Sequence, residues 1–180
     1  IDLAIMADDA ISLPRVKAPY TKRRRRWPSG VTVITMPTDD GPHGMTASAF
    51  CSVSVAPPQI LVVVDQRWRS HDMIAVGGVF CVNILADNQS AWSDRFAGRG
   101  RVEDRFAGIA TTTAVTGALC LTDACAWLDC RLAAAHDAGD HSIFVGEVLA
   151  VGLGGGAEGP LVYQDGAYRV VGERVDPGEA

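Results

Sequence analysis

No apolar run in this chain reaches the ~18 residues that a membrane-spanning helix requires, so no membrane association through such a helix is expected. A basic surplus is missing as well. Lys and Arg number 16 against 21 Asp and Glu, a net charge of −5. That disfavours nucleic acid as the main partner, because phosphate binding draws on an excess of cations. The five cysteines form no C-x-x-C pair. Cys120, Cys125 and Cys130 recur every five residues, a spacing that alternates faces on a strand and matches no usual zinc pattern. No metal site is expected, and buried free thiols in a reducing cytoplasm are the reading. The N-terminal "IDLAIMADDAISLP" has no basic leader, and Asp8 and Asp9 interrupt its apolar stretch. It does not read as a secretory signal.

Familiar catalytic motifs are wanting too. There is no G-x-S-x-G elbow, and none of His43, His71, His136 and His141 sits in a hydrolase context. "GGGAEG", Gly154 to Gly159, matches G-x-G-x-x-G, but Pro160 and "LVY" follow it. A dinucleotide fingerprint needs a helix to begin there, so the segment is read as a flexible loop.

What the chain does have is strands. Its 180 residues suit one domain, read as residues 20–172, with an N-terminal extension over 1–19 and a C-terminal tail over 173–180. "KRRRR", Lys22 to Arg26, reads as a solvated helix face. "GVTVITM" is β-branched and leads into the turn cluster "PTDDGPHG". "QILVVVD" is a continuous apolar run of the kind a strand buried on both faces shows. "RSHDMIAVGG" predicts a short helix with Ser70 as N-cap, and "VFCVNILA" a strand. "DNQSAWSDRFAG" predicts a second helix with Asp87 as a candidate cap and Trp92 and Phe96 on one side. Two long strands around a turn at Asp137 to Asp140 and a shorter hairpin in "GPLVYQDGAYRVV" complete the pattern. Strands dominate and the helices do not alternate with them, which predicts a mainly β, closed antiparallel barrel with helical insertions.

Two stretches carry chemistry. "GMTASAFCSVSVAPP", Gly44 to Pro58, sets Thr46, Ser48, Ser52 and Ser54 among small residues without a single charge. Such a strand suits the flat edge of a polar heteroaromatic ligand; equally, it suits a crowded barrel corner where only small residues fit. "QRWRSHDMI" places Arg67 and Arg69 just before a helix start, an anion-binding arrangement. Together they describe one ligand with a flat head and a phosphorylated tail.

"WPSGVTVIT", "GMTASAFCSVSVAPPQILVVVD", "FCVNILADNQSAWSDRFAG", "GDHSIFVGEV" and "GPLVYQDGAYR" occur in this order from Trp27 to about Arg169. In that order they resemble the short-chain flavin reductase family, whose fold is the flavin-binding split barrel. The resemblance implies a homodimer of six-stranded barrels that passes hydride from NADH or NADPH to FAD or FMN and supplies reduced flavin to a partner monooxygenase. It implies that Met45, Thr46, Ala47 and Ser48 face the flavin ring, that Ser52, Val53 and Ser54 meet the ring edge or ribityl chain, and that Asp65, Arg67, Trp68 and Ser70 hold the phosphate region with Asn83 beneath. Arg105 and Phe106 fall near the outer part of the ligand, and His141 on the nicotinamide side. Trp68 stands where the family commonly has a small hydroxyl residue, and Ser70 where it often has Thr. A flavin carrier without NAD(P)H activity is the competing implication.

Overall fold

The computed structural model describes residues 19–20, 22–99, 104–155 and 159–173. The expected extension over 1–19 and tail over 173–180 fall almost wholly outside these residues, as do 100–103 of the charged loop and 156–158 of the Gly-rich loop. Residues 22–24 are helical, and Lys22 to Arg26 are exposed, as a solvated basic face requires.

The strands are β1 (Ser29–Gly30), β2 (Thr32–Met36), β3 (His43–Ala47), β4 (Phe50–Val55), β5 (Pro58–Asp65), β6 (Val79–Ile84), β7 (Thr111–Thr113), β8 (Leu119–Leu121), β9 (Ala126–Ala138), β10 (His141–Leu153), β11 (Val162–Gln164) and β12 (Ala167–Arg169). Two helices, α1 (Arg69–Gly77) and α2 (Ser90–Phe96), are inserted after β5 and β6. Seven strands form one antiparallel sheet in the order β3-β2-β6-β9-β10-β5-β4.

The two ends of that sheet, β3 and β4, are consecutive in the chain and separated only by Ser48 and Ala49. The first half of this segment pairs with β2 and the second with β5, while the Ala49 carbonyl accepts the Val63 amide at 3.0 Å. The sheet therefore curls on itself and is closed by one segment that changes partners midway. The expected six strands become seven because this seam strand is divided in two. A small three-stranded sheet, β1-β11-β12, and a β7–β8 pair lie outside the barrel; the second of these was not foreseen, since "TTT" and "LCL" are too short to show a period.

Burial follows from this closure. Ile34 and Met36 of β2 face the barrel interior with Ile60, Val62, Val64, Phe80, Val82 and Phe144, whereas Val31 and Val33 join a second cluster with Leu85, Phe96, Leu121 and Leu161. Both faces of β2 are thus covered, and every one of its residues is buried. Expectation fails for β5. Its residues alternate, with Ile60, Val62 and Val64 buried and Leu61 and Val63 only half-buried, so this chain alone covers one face of the apolar run.

The helix caps also differ from expectation. Trp68, not Ser70, caps α1, and it does so without a side-chain hydrogen bond. The turn after β5 is short, so the helix starts at Arg69 and Ser70 lies inside it, buried. Gln89, not Asp87, precedes α2, because residues 87 and 88 form a turn and Gln89 accepts the Ala86 amide through Oε1 at 2.8 Å. Trp92 and Phe96 do share the core-facing side.

Candidate active site

A cleft runs along the free edge of β3. At one end, a cavity of about 530 Å³ is lined by His43, Met45, Thr46, Trp68, Arg69, Ser70, Phe96, Ala97, Gly98 and Arg105. A second hollow of about 160 Å³, sharing Thr46 and Ala97 with the first, is lined by Val31, Ser48, Ser93, Arg99, Tyr163 and Tyr168. β3 is an end strand of the sheet, paired on one side only, and an unpaired strand edge offers backbone N–H and C=O groups to whatever lies beside it.

Gly44 brings the other wall into place. A Cβ there would stand 2.6 Å from the Phe96 ring, so only glycine lets α2 lie this close to β3. Phe96 packs edge-on against Phe106, centroids 5.0 Å apart, and this carries Arg105 to the cleft, where its guanidinium donates to the Gly44 carbonyl at 3.1 Å. Arg95 holds the same loop by donating to the Ala107 carbonyl at 2.7 Å. The Thr46 hydroxyl donates to the Ser93 carbonyl at 2.6 Å, and the Thr32 hydroxyl to that of Ala47 at 2.8 Å. The Thr46 hydroxyl therefore ties β3 to α2, and the backbone edge of β3 and Ser48 remain to meet a ligand.

Charge is concentrated at the α1 end. His43 Nε2 lies 2.9 Å from Ser70 Oγ. Burial, with Arg105 and then Arg69 nearby, lowers the His43 imidazole below its ordinary value, because each of these opposes a further positive charge. At the opposite end Tyr163 and Tyr168 meet edge-on, 5.4 Å between centroids. The Tyr168 hydroxyl donates to Asp94 at 2.7 Å, and burial pushes its pKa above the ordinary tyrosine value.

Met45, Thr46, Ser48, Trp68, Ser70 and Arg105 of the expected residues line the cleft. Ala47 is buried beneath it, and Phe106 supports it by packing on Phe96. Others stand apart. Arg67 is 79% exposed in its side chain and paired with Asp65 at 2.6 Å, which holds the Asp65 carboxyl well below the usual range; the guanidinium groups that line the cleft are those of Arg69 and Arg105. Asn83 is fully buried, its amide donating to the Val33 carbonyl at 3.1 Å while Oδ1 accepts the Leu121 amide at 2.7 Å. It joins β6, β2 and β8 and does not reach the cleft. Ser52 and Val53 are exposed and Ser54 half-buried on β4, away from the cleft lining. His141 starts β10, paired across from Asp65 and bonded to Asp140 at 2.6 Å, also outside the cleft in a single chain.

Sequence reasoning passed over His43, the C-terminal end of α2, Arg99, Tyr163 and Tyr168. His43 directly precedes the Gly44 stretch, so its neighbourhood was a legible hint; the rest are brought in only by packing. The five cysteines are free. Cys81, Cys120 and Cys130 are buried as expected, burial pushing the Cys130 thiol up to about 12, but Cys51 is exposed on β4. Among the described residues no group of side chains could hold a metal ion.

A split antiparallel barrel with a cationic, aromatic-walled cleft along its seam defines a flavin-binding barrel as the class. Residues 24–172 match the model of the flavin reductase like domain, and the chain belongs to that family. It is 37% identical over 155 residues to the FMN reductase (NADH) RutF of Variovorax paradoxus, 86% of each chain being covered. Its fold is similar to that of BorF, the flavin reductase component of a bacterial two-component tryptophan halogenase, with a TM-score of 0.78, 36% identity, and 88% of this chain and 99% of that one covered. It is likewise similar to the NADH:FAD oxidoreductase SgcE6 of Streptomyces globisporus C-1027, solved with NAD and FAD fragments, with a TM-score of 0.78, 28% identity, and 93% and 97% covered.

Proposed function

We propose that this chain is an NAD(P)H:flavin oxidoreductase that reduces FMN or FAD and supplies the reduced flavin to a partner monooxygenase. The carrying observation is the cleft: a strand edge and small residues from Met45 to Ser48 on one side, and Arg69, Arg105, His43 and Ser70 at one end. These fit a flat ring with hydrogen-bonding edges and a phosphorylated tail. The flavin, when bound, accepts the hydride. The protein holds the ring against β3, places the anionic tail beside Arg69, and leaves room over the ring for a nicotinamide. No protein acid or base is needed for a hydride step, so the lack of a triad costs the reading nothing.

A second copy of the chain completes the site. The outer faces of β5 and β10 carry Leu61 and Val63 opposite Val145 and Ile143, all half-buried, with exposed Cys51 and Val53 on β4 beside them. An apolar sheet face of this kind suits burial against a copy of itself, which would also cover Ser52, Val53, Ser54 and His141. The barrel domain is taken as residues 20–172. No helix among the described residues is long and apolar enough to cross a membrane, and free thiols suit a reducing cytoplasm.

Mixing the purified chain with NADH or NADPH, with and without added FMN or FAD, tests the proposal. Oxidation followed at the nicotinamide band should depend on added flavin. A protein that binds flavin and consumes neither dinucleotide overturns it. Within this reading His141, its imidazole fixed by Asp140, steers the nicotinamide. His141→Ala should raise KM for the dinucleotide by about tenfold, the worth of one hydrogen bond to a charged or strongly polar group, while the flavin Kd changes little. The reverse pattern removes His141 from that role.

A further inference from the structure

We propose that His43 recognises the terminal phosphate of FMN: its imidazole takes up one proton from solvent as the phosphate dianion enters the cleft, and the protonated ring releases the Ser70 hydroxyl to the phosphate. This rests on the flavin reductase reading. The geometry that carries it is a single cavity of about 530 Å³ in which His43, Ser70, Arg69 and Arg105 all face the same space. His43 Nε2 and Ser70 Oγ are 2.9 Å apart. A neutral ring can accept the Ser70 proton at Nε2; a protonated ring can only donate there, so the serine proton must turn to another acceptor. The cavity supplies the place for one.

In the free protein, burial and the two guanidinium groups disfavour the charged ring. A phosphate dianion reverses that balance, because an opposite charge nearby favours the protonated form. FMN ends in a monoester whose second proton leaves near pH ~6, so it is a dianion above that. The diphosphate of FAD carries one charge per phosphate and calls for the third cation less. His43 thus weights the cleft toward FMN, most strongly at lower pH.

The other charged groups around His43 are guanidinium groups and carboxylates. From α1 these are Arg69 and, in the adjoining groove, Asp72; from the 104–110 loop, Arg105; from the turn before β3, Asp39 and Asp40. The cross-strand partner on β2 is Met36, which is neutral. His71, the other imidazole of α1, points to Ser142 at 2.9 Å and not into the cavity.

The sign is fixed by linkage. A base whose bound-state pKa exceeds its free-state value binds ligand best when protonated, and the advantage is lost as pH rises through the bound value. Titrating the chain with FMN, FAD and riboflavin at pH 6.5 and 8.5, followed by flavin fluorescence, should show the FMN Kd rising about tenfold across the window. FAD should change less and riboflavin not at all. His43→Gln should flatten the FMN slope, and Ser70→Ala should weaken FMN several-fold at pH 6.5 without affecting riboflavin. An equal slope in His43→Gln, or the same slope with riboflavin, overturns the role of His43. If the wild type instead binds FMN with the expected slope but never oxidises NADH or NADPH, the reductase reading falls and the phosphate site stands.

Discussion

Asn83→Leu should lower the melting temperature by roughly 10 °C or more, measured by circular dichroism or calorimetry. The Leu121 amide would lose its acceptor at 2.7 Å, and the Val33 carbonyl and Thr35 hydroxyl would lose donors at 3.1 and 3.3 Å, all around a fully buried position. Leaving a buried polar group unpaired costs about 1–3 kcal/mol, and two or three such groups make about 3–5 kcal/mol. A barrel of this size loses about 2–4 °C per kcal/mol. Asn83→Asp, which keeps the acceptor for Leu121, should lose less. A change in flavin affinity with an unaltered melting temperature would contradict this and return Asn83 to the ligand.

Arg69→Glu should weaken FMN binding roughly a hundredfold and leave riboflavin near its wild-type affinity. Arg69 lines the cationic end of the cleft as well as the adjoining groove of about 440 Å³. It is exposed, so the effect is screened, and reversing one charge beside a phosphate at an effective dielectric near ~20 amounts to about 2–3 kcal/mol. Raising the salt concentration should narrow the gap between wild type and variant. Arg67→Glu makes the contrast: Arg67 is tied to Asp65 outside the cleft, and its reversal should change FMN affinity by no more than a few-fold. Equal losses for both arginines would mean that the phosphate lies nearer the β5 turn.

Much of this was legible from residue order. The β-branched run "GVTVITM", the turn residues around Gly41 and Gly139, and the core-facing spacing of Trp92 and Phe96 come from local stereochemistry, which acts through neighbours in the chain. So do the small residues from Gly44 to Ser48. Other features were not legible in the sequence, for one physical reason. Whether Ser70 caps α1 depends on where the preceding turn ends, and whether Arg67 or Arg69 faces a ligand depends on which of them meets Asp65. Asn83 is polar in an apolar run, which marks it as special without saying whether its partner is a ligand or the backbone of β2 and β8.

By itself the sequence determined a mainly β chain with a seam of small, uncharged residues and a basic turn leading into a helix, because periodicity and side-chain size are local properties. Only the tertiary structure decided that β3 and β4 close the barrel as one divided strand and that α2 leans on Gly44 through Phe96. It also set His43, Ser70, Arg69 and Arg105 around one space. Arg69, Ser70 and Arg105 lie 26 to 62 positions from His43 by number, and contacts at such separation are fixed by the packing of the whole core, where shape and burial choose among arrangements that local preference leaves equal.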